Sequence, residues 1–67
     1  MRIVKNVARN LRDLRLKRKL SQQDVAKKAG LSVSYISMLE RGQRTPPLET
    51  LEVIAKVLRA DPVHLLQ

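Results

Sequence analysis

Sixty-seven residues suffice for one domain with one small core, near the lower limit at which a fold holds without staples. A hydrophobic share of 43% excludes a disordered chain, and the absence of cysteine excludes disulfides and thiolate zinc sites. Fourteen Lys and Arg against six Asp and Glu leave a formal charge of +8, which favours a polyanionic partner, either nucleic acid or an anionic membrane surface.

The opening MRIVKNVARN carries charge and has no apolar run long enough for a signal peptide or a membrane span, so the expected setting is the cytoplasm. With one tyrosine and no phenylalanine or tryptophan, base stacking cannot be the main mode of binding. Single-strand binders and most RNA readers depend on such platforms, which leaves double-stranded DNA as the expected partner.

Residues 4 to about 18 read as the first helix. Val4, Val7, Leu11 and Leu14 recur at spacings of three and four, while Lys5, Arg9, Arg12, Lys17 and Arg18 occupy the other faces. A basic amphipathic helix on a membrane surface shares this pattern. The apolar side lacks a large aromatic anchor, so a core-facing helix with a solvated basic face is expected. Lys19-Leu20 connects onward, with Leu20 tucked under the domain. Arg15 borders the apolar stripe, as Glu40 does later in the chain. The two are expected to pair across helices; solvation of both is the alternative.

Ser21 to Gly42, SQQDVAKKAGLSVSYISMLERG, reads as two short helices joined by a tight turn. Ser21 is a good N-cap with Asp24 three residues on, a short-chain capping box. Val25, Ala26 and Ala29 form an apolar stripe, and the small Ala26 lets a second helix pass close over the first. Gly30 is suited to a left-handed stop. After Leu31, Ser32 is a second N-cap, Ile36 and Leu39 face inward, and Ser34, Ser37, Met38 and Arg41 point elsewhere. Gly42 closes the second helix. A small residue, a short glycine turn and an uncharged small-polar outer face together indicate a helix-turn-helix.

Gln43 to Pro47 is a loop in which Pro46 is held extended by the following proline, and Pro47 suits an early helical position. A fourth helix is expected from about Leu48 to Leu58, with Leu51, Ile54, Ala55 and Leu58 inward. Val53 and Val57 add a second stripe, which predicts enclosure on more than one side. Asp61 as N-cap with Pro62 in the first position opens a short last helix through Leu66. With no repeat, linker or low-complexity segment, residues 1–67 are expected to form a single all-α domain of five helices.

Catalytic and metal chemistry find no support. His64 has no cysteine or second histidine to share a metal, the serines have no nearby histidine base, and no glycine-rich phosphate loop is present. An enzyme is not expected, and no cofactor or small-molecule ligand is indicated.

The run LSQQDVAKKAGLSVSYISMLERGQRTPPLETLEVIAKVL resembles the Cro/C1-type (XRE) helix-turn-helix family of phage and bacterial repressors. The similarity extends from about Val7 to Leu66. Leu-Ser-Gln opening the second helix, Ala26 and Gly30 four apart, Ser-Tyr-Ile-Ser, Glu-Arg-Gly and Leu-Glu-Thr-Leu stand in the family's places. The resemblance implies a compact five-helix, lambda-repressor-like domain with the helix-turn-helix at helices 2 and 3. It also implies an arginine–glutamate pair, here Arg15 and Glu40. Departures are Lys19, and Arg59 where relatives commonly have glycine.

By the same resemblance, Gln22 at the start of the second helix holds a phosphate, in keeping with the positive end of a helix dipole. Ser32 touches the DNA backbone, and Arg41, Gln43 and Arg44 reach flanking phosphates. Tyr35 is either a phosphate contact or a packing residue. Base reading falls to Val33, Ser34, Met38 and also Ser37, where well-known repressors often carry glutamine or arginine. Val33 and Met38 suit thymine methyl groups and Ser34 suits almost any base edge, so direct readout is expected to be modest.

The implied function is sequence-specific transcription regulation, with repression expected, by a homodimer on a palindromic site whose half-sites lie about 34–36 Å apart. Pro62, His64 and Leu65 are the expected dimer contact. The alternatives are an antitoxin or restriction-system controller of the same fold, and a protein-interaction module using the helix-turn-helix surface.

Overall fold

The computed structural model describes residues 2–67, with side chains from residue 5 onward, so the predicted inward position of Val4 lies outside the described side chains. Among the described residues there are five helices: α1 (Arg2–Lys17), α2 (Gln22–Ala29), α3 (Val33–Glu40), α4 (Leu48–Val57) and α5 (Pro62–Leu66). None is long and apolar enough to cross a membrane.

Local sequence signals set most of the boundaries. At the start of α2 the Ser21 hydroxyl accepts from the Asp24 N–H at 2.9 Å, while the Asp24 carboxylate accepts from the Ser21 N–H at 2.8 Å. The hydrogen bonds to Ser21 hold the Asp24 carboxyl below its ordinary pKa, and Lys28 and Lys27 add a smaller push in the same direction. Ser32 caps α3 by accepting from the Tyr35 N–H at 3.1 Å, and Asp61 caps α5 by accepting from the Val63 N–H at 3.2 Å. Pro47 stands at the N-cap of α4, one place before the early helical position expected of it, and offers no side-chain cap.

α1, α2, α3 and α4 end in the same way. A residue with positive φ follows the helix, and the next N–H reaches back across the last turn, from Leu20 to Arg15, Leu31 to Ala26, Gln43 to Met38 and Ala60 to Ala55. At Gly30 (φ 70°) and Gly42 (φ 71°) glycine meets that demand. At Lys19 (φ 58°) and Arg59 (φ 55°) an ordinary side chain does so, at about 1 kcal/mol each. The two departures from the family pattern therefore leave the loop geometry intact. Lys19→Gly and Arg59→Gly are each expected to raise stability, by up to about 1 kcal/mol, in chemical denaturation. Destabilisation by either would contradict the left-handed assignment.

The helices pack around Val7, Leu11, Val25, Ala26, Ile36, Leu39, Leu51, Ile54, Ala55, Leu58 and Leu65, with Leu14, Leu20, Leu31, Tyr35 and Val57 against the rim. α2 lies against α3 and α4, α1 against α3 and α5, and α5 closes against α4. α2 and α3 pack against each other, and Ala26 is buried as its size suggests. Two expectations need correction. Val53 is exposed, so α4 is covered along one stripe and the rim at Val57 but not enclosed. Leu65, expected on a dimer surface, is fully buried: a five-residue helix has one inward position, and Leu65 fills it.

Candidate nucleic-acid interface

The Arg15–Glu40 pair fixes the position of α3 against α1. Arg15 Nε donates to Glu40 Oε2 at 2.6 Å and Nη2 to Oε1 at 3.0 Å, the forked geometry in which guanidinium and carboxylate match best. Arg15 Nη1 donates to the Leu20 carbonyl at 2.9 Å, so the same side chain secures the α1–α2 connection. The side chains are 11% and 5% exposed, which shields the pair from solvent screening. Hydrogen bonding to Glu40, with its charge as a smaller contribution, raises the Arg15 pKa against the opposing effect of burial.

Gln22 joins this network. Its Nε2 donates to Glu40 Oε1 at 3.1 Å, tying the first residue of α2 to the last of α3. A primary amide has two N–H donors, so this bond leaves one for an anion outside. The N-terminal N–H groups of α2 lie at the same point, where a helix favours negative charge. Arg12, Arg15, Gln22, Ser37, Glu40 and Arg41 line one groove between α1, the start of α2 and α3. Sequence reasoning assigned Arg12 only to a solvated face. Its place three residues before Arg15 on the same helix was the available signal.

The remaining predicted residues fall into three settings. Val33 is 40% exposed and Ser34 is also exposed, both in the first turn of α3. Ser37 and Met38 are half-buried one turn later, with Ser37 turned into the groove. Arg41, Gln43 and Arg44 are exposed at and beyond the C-terminal end of α3. Ser32 is exposed, with its hydroxyl accepting the Tyr35 N–H, while the half-buried Tyr35 packs against the core. The result is an uncharged strip on α3 with Arg12 and Arg41 in the groove along one side and Arg44 beyond its C-terminal end.

Of the residues expected at a dimer contact, His64 is exposed, Pro62 is half-buried and Leu65 is in the core. The same short helix exposes Val63 and Leu66. Among the described residues no group of three or more His, Cys, Asp or Glu is placed to hold a metal ion.

Comparison with known proteins agrees with this arrangement. An uncharacterised HTH-type transcriptional regulator of Sinorhizobium fredii, y4dJ, is 39% identical over 62 residues, covering 92% of this chain and 80% of that protein. The crystal structure of the restriction-modification controller protein C.AhdI from Aeromonas hydrophila superposes with a TM-score of 0.88 at 35% identity, covering 92% of this chain and 94% of that one. The controller C.Esp1396I, solved as a tetramer in complex with its natural 35-base-pair operator, superposes with a TM-score of 0.85 at 32% identity, covering 94% of this chain and 83% of that one. The model of the helix-turn-helix family HTH_3 matches residues 11–65, and the chain belongs to that Cro/C1-type helix-turn-helix family.

Proposed function

We propose that residues 1–67 are a DNA-binding domain of a transcription regulator that reads double-stranded DNA with α3 in the major groove. The observation that carries this reading is the uncharged strip of α3, exposed at Val33 and Ser34, with Arg12 and Arg41 lining the groove beside it and Arg44 exposed past its C-terminal end. Val33, Ser34, Ser37 and Met38 face base edges, Val33 and Met38 through thymine methyl groups. Gln22, Ser32, Arg41, Gln43 and Arg44 hold phosphates on either side, and these contacts set register without reading sequence. Tyr35, packed at the rim, reaches the backbone only through its hydroxyl. The setting is the cytoplasm, where the chromosome of a bacterium or phage host is accessible.

The regulator acts as a homodimer on a palindromic operator. Leu65 supports the contact from inside the core, and the surface itself is His64 with the exposed apolar Val63 and Leu66. Val63→Glu is expected to shift sedimentation towards monomer and weaken operator binding while leaving the fold intact. An unchanged association state would move the contact elsewhere. Control of a restriction-modification system is a specific second reading, favoured because this chain spans 94% of the C.AhdI controller.

The salt dependence of duplex binding tests the proposal. Each neutralised phosphate contributes about −0.9 to the slope of log K against log salt. Arg44→Ala is expected to weaken all duplexes alike and make that slope shallower by about one phosphate. A changed sequence preference would place Arg44 on a base. A slope near zero for the unaltered protein would instead assign the helix-turn-helix surface to protein contact.

A further inference from the structure

A second hollow, sharing no lining residue with the groove beside α3, lies where the C-terminal ends of α1, α2 and α4 converge. Arg18, Lys28 and Arg59 form its walls and Leu20 and Val57 its apolar floor, around a volume of about 200 Å³. The lining contains three cations and no carboxylate. Asp24, one turn before Lys28, senses that lysine, but its carboxylate is engaged by the Ser21 N–H at 2.8 Å.

Helix ends alone do not account for so much charge. Each C-terminus carries roughly half a negative charge, about −1.5 for three helices. Arg18, Lys19, Lys28 and Arg59 bring four positive charges to the same ends. Arg18 is also held in place: Nε donates to the Leu58 carbonyl at 3.0 Å and Nη2 to the Arg59 carbonyl at 3.3 Å. A guanidinium has five N–H donors, so others remain for a ligand. Lys19 and Arg59 are the two positions where a cation occupies the left-handed conformation that Gly30 and Gly42 fill at the other two helix ends. At both positions backbone strain is accepted where glycine would relieve it, and in both cases the side chain gained is a cation beside Arg18 or in the wall of the hollow.

We propose that this hollow binds a small phosphorylated molecule with adjacent phosphates, held by Arg18, Lys28 and Arg59. Guanidinium groups match phosphate oxygens in a fork, and the lysine adds a point charge. The volume suits a diphosphate group and not a large organic ligand.

The test is an amide-resolved NMR titration of the DNA-free protein with inorganic pyrophosphate at near-physiological salt. Saturable shifts are expected at Leu20, Lys28 and Arg59, with at least fivefold weaker binding in both Arg59→Gly and Lys28→Gln. Both residues are exposed, and Arg59→Gly also relieves backbone strain, so thermal melts can verify that each variant is folded. A parallel titration with ADP separates the sources: equal affinity indicates a free polyphosphate, and tighter ADP binding a nucleotide. Non-saturating shifts, shifts centred on Gln22 and Arg41, or unchanged affinity in Arg59→Gly would overturn the assignment. So would a loss of duplex affinity in these variants as large as that in Arg44→Ala, which would make the hollow a DNA-backbone contact. The site stands independently of how α3 is used.

Discussion

Glu40→Ala is expected to destabilise the domain by about 3 kcal/mol, because it leaves the Arg15 guanidinium partly buried without its carboxylate. An exposed pair would contribute only about 0–1 kcal/mol. In a domain of this size the change lowers Tm by on the order of 15 °C. The loss extends beyond one contact, since Glu40 also accepts from Gln22 and so ties α1, α2 and α3 together. Arg15→Ala should act similarly and also releases the Leu20 carbonyl. A double replacement, Arg15→Met with Glu40→Leu, should be less damaging than either single change, because no buried charge is left without a partner. Thermal or urea melts of the three variants decide the matter. A Glu40→Ala variant within about 1 kcal/mol of the parent would mean that solvent screens the pair as it does on a surface.

Substitution on the outer strip of α3 should alter specificity more than overall affinity. Val33→Gln or Met38→Gln introduces an amide able to form two hydrogen bonds to adenine in place of contact with a thymine methyl. Preference at one or two positions of the site is expected to change by about 1–3 kcal/mol per affected base pair. The salt slope should stay the same, since no phosphate contact is lost. Competition among duplexes differing at single positions measures both quantities. An unchanged preference for both variants would remove these residues from the reading face.

The contrast between these two experiments follows from how the chain encodes them. The caps at Ser21, Ser32 and Asp61, the glycine stops and the inward stripe of α4 at Leu51, Ile54 and Leu58 were legible because each depends on residues within one or two turns. The Arg15–Glu40 pair lies 25 residues apart and was anticipated from two charges bordering apolar stripes. The burial of Leu65 was not anticipated. A helix of five residues is too short to show a period, and what fixes it lies far away: Asn10 Nδ2 donates to the Leu65 carbonyl and Asn6 Nδ2 to that of Leu66. Arg18 was assigned to solvent for the same reason, since its partners at Leu58 and Arg59 are about 40 residues distant. The exposure of Val53 shows the converse limit, because hydrophobicity identified a second stripe of which Val57 packs at the rim of the core while no helix covers Val53.

The central claim is that the α3 strip reads duplex sequence, and selection of bound duplexes from a random library at near-physiological salt tests it most directly. The expected result is an enriched two-fold motif with half-sites one helical turn apart, about 34–36 Å, carrying thymine where Val33 and Met38 meet the groove. Recovery of no motif, with binding lost at that salt, would contradict it and leave the helix-turn-helix as a surface for protein contact.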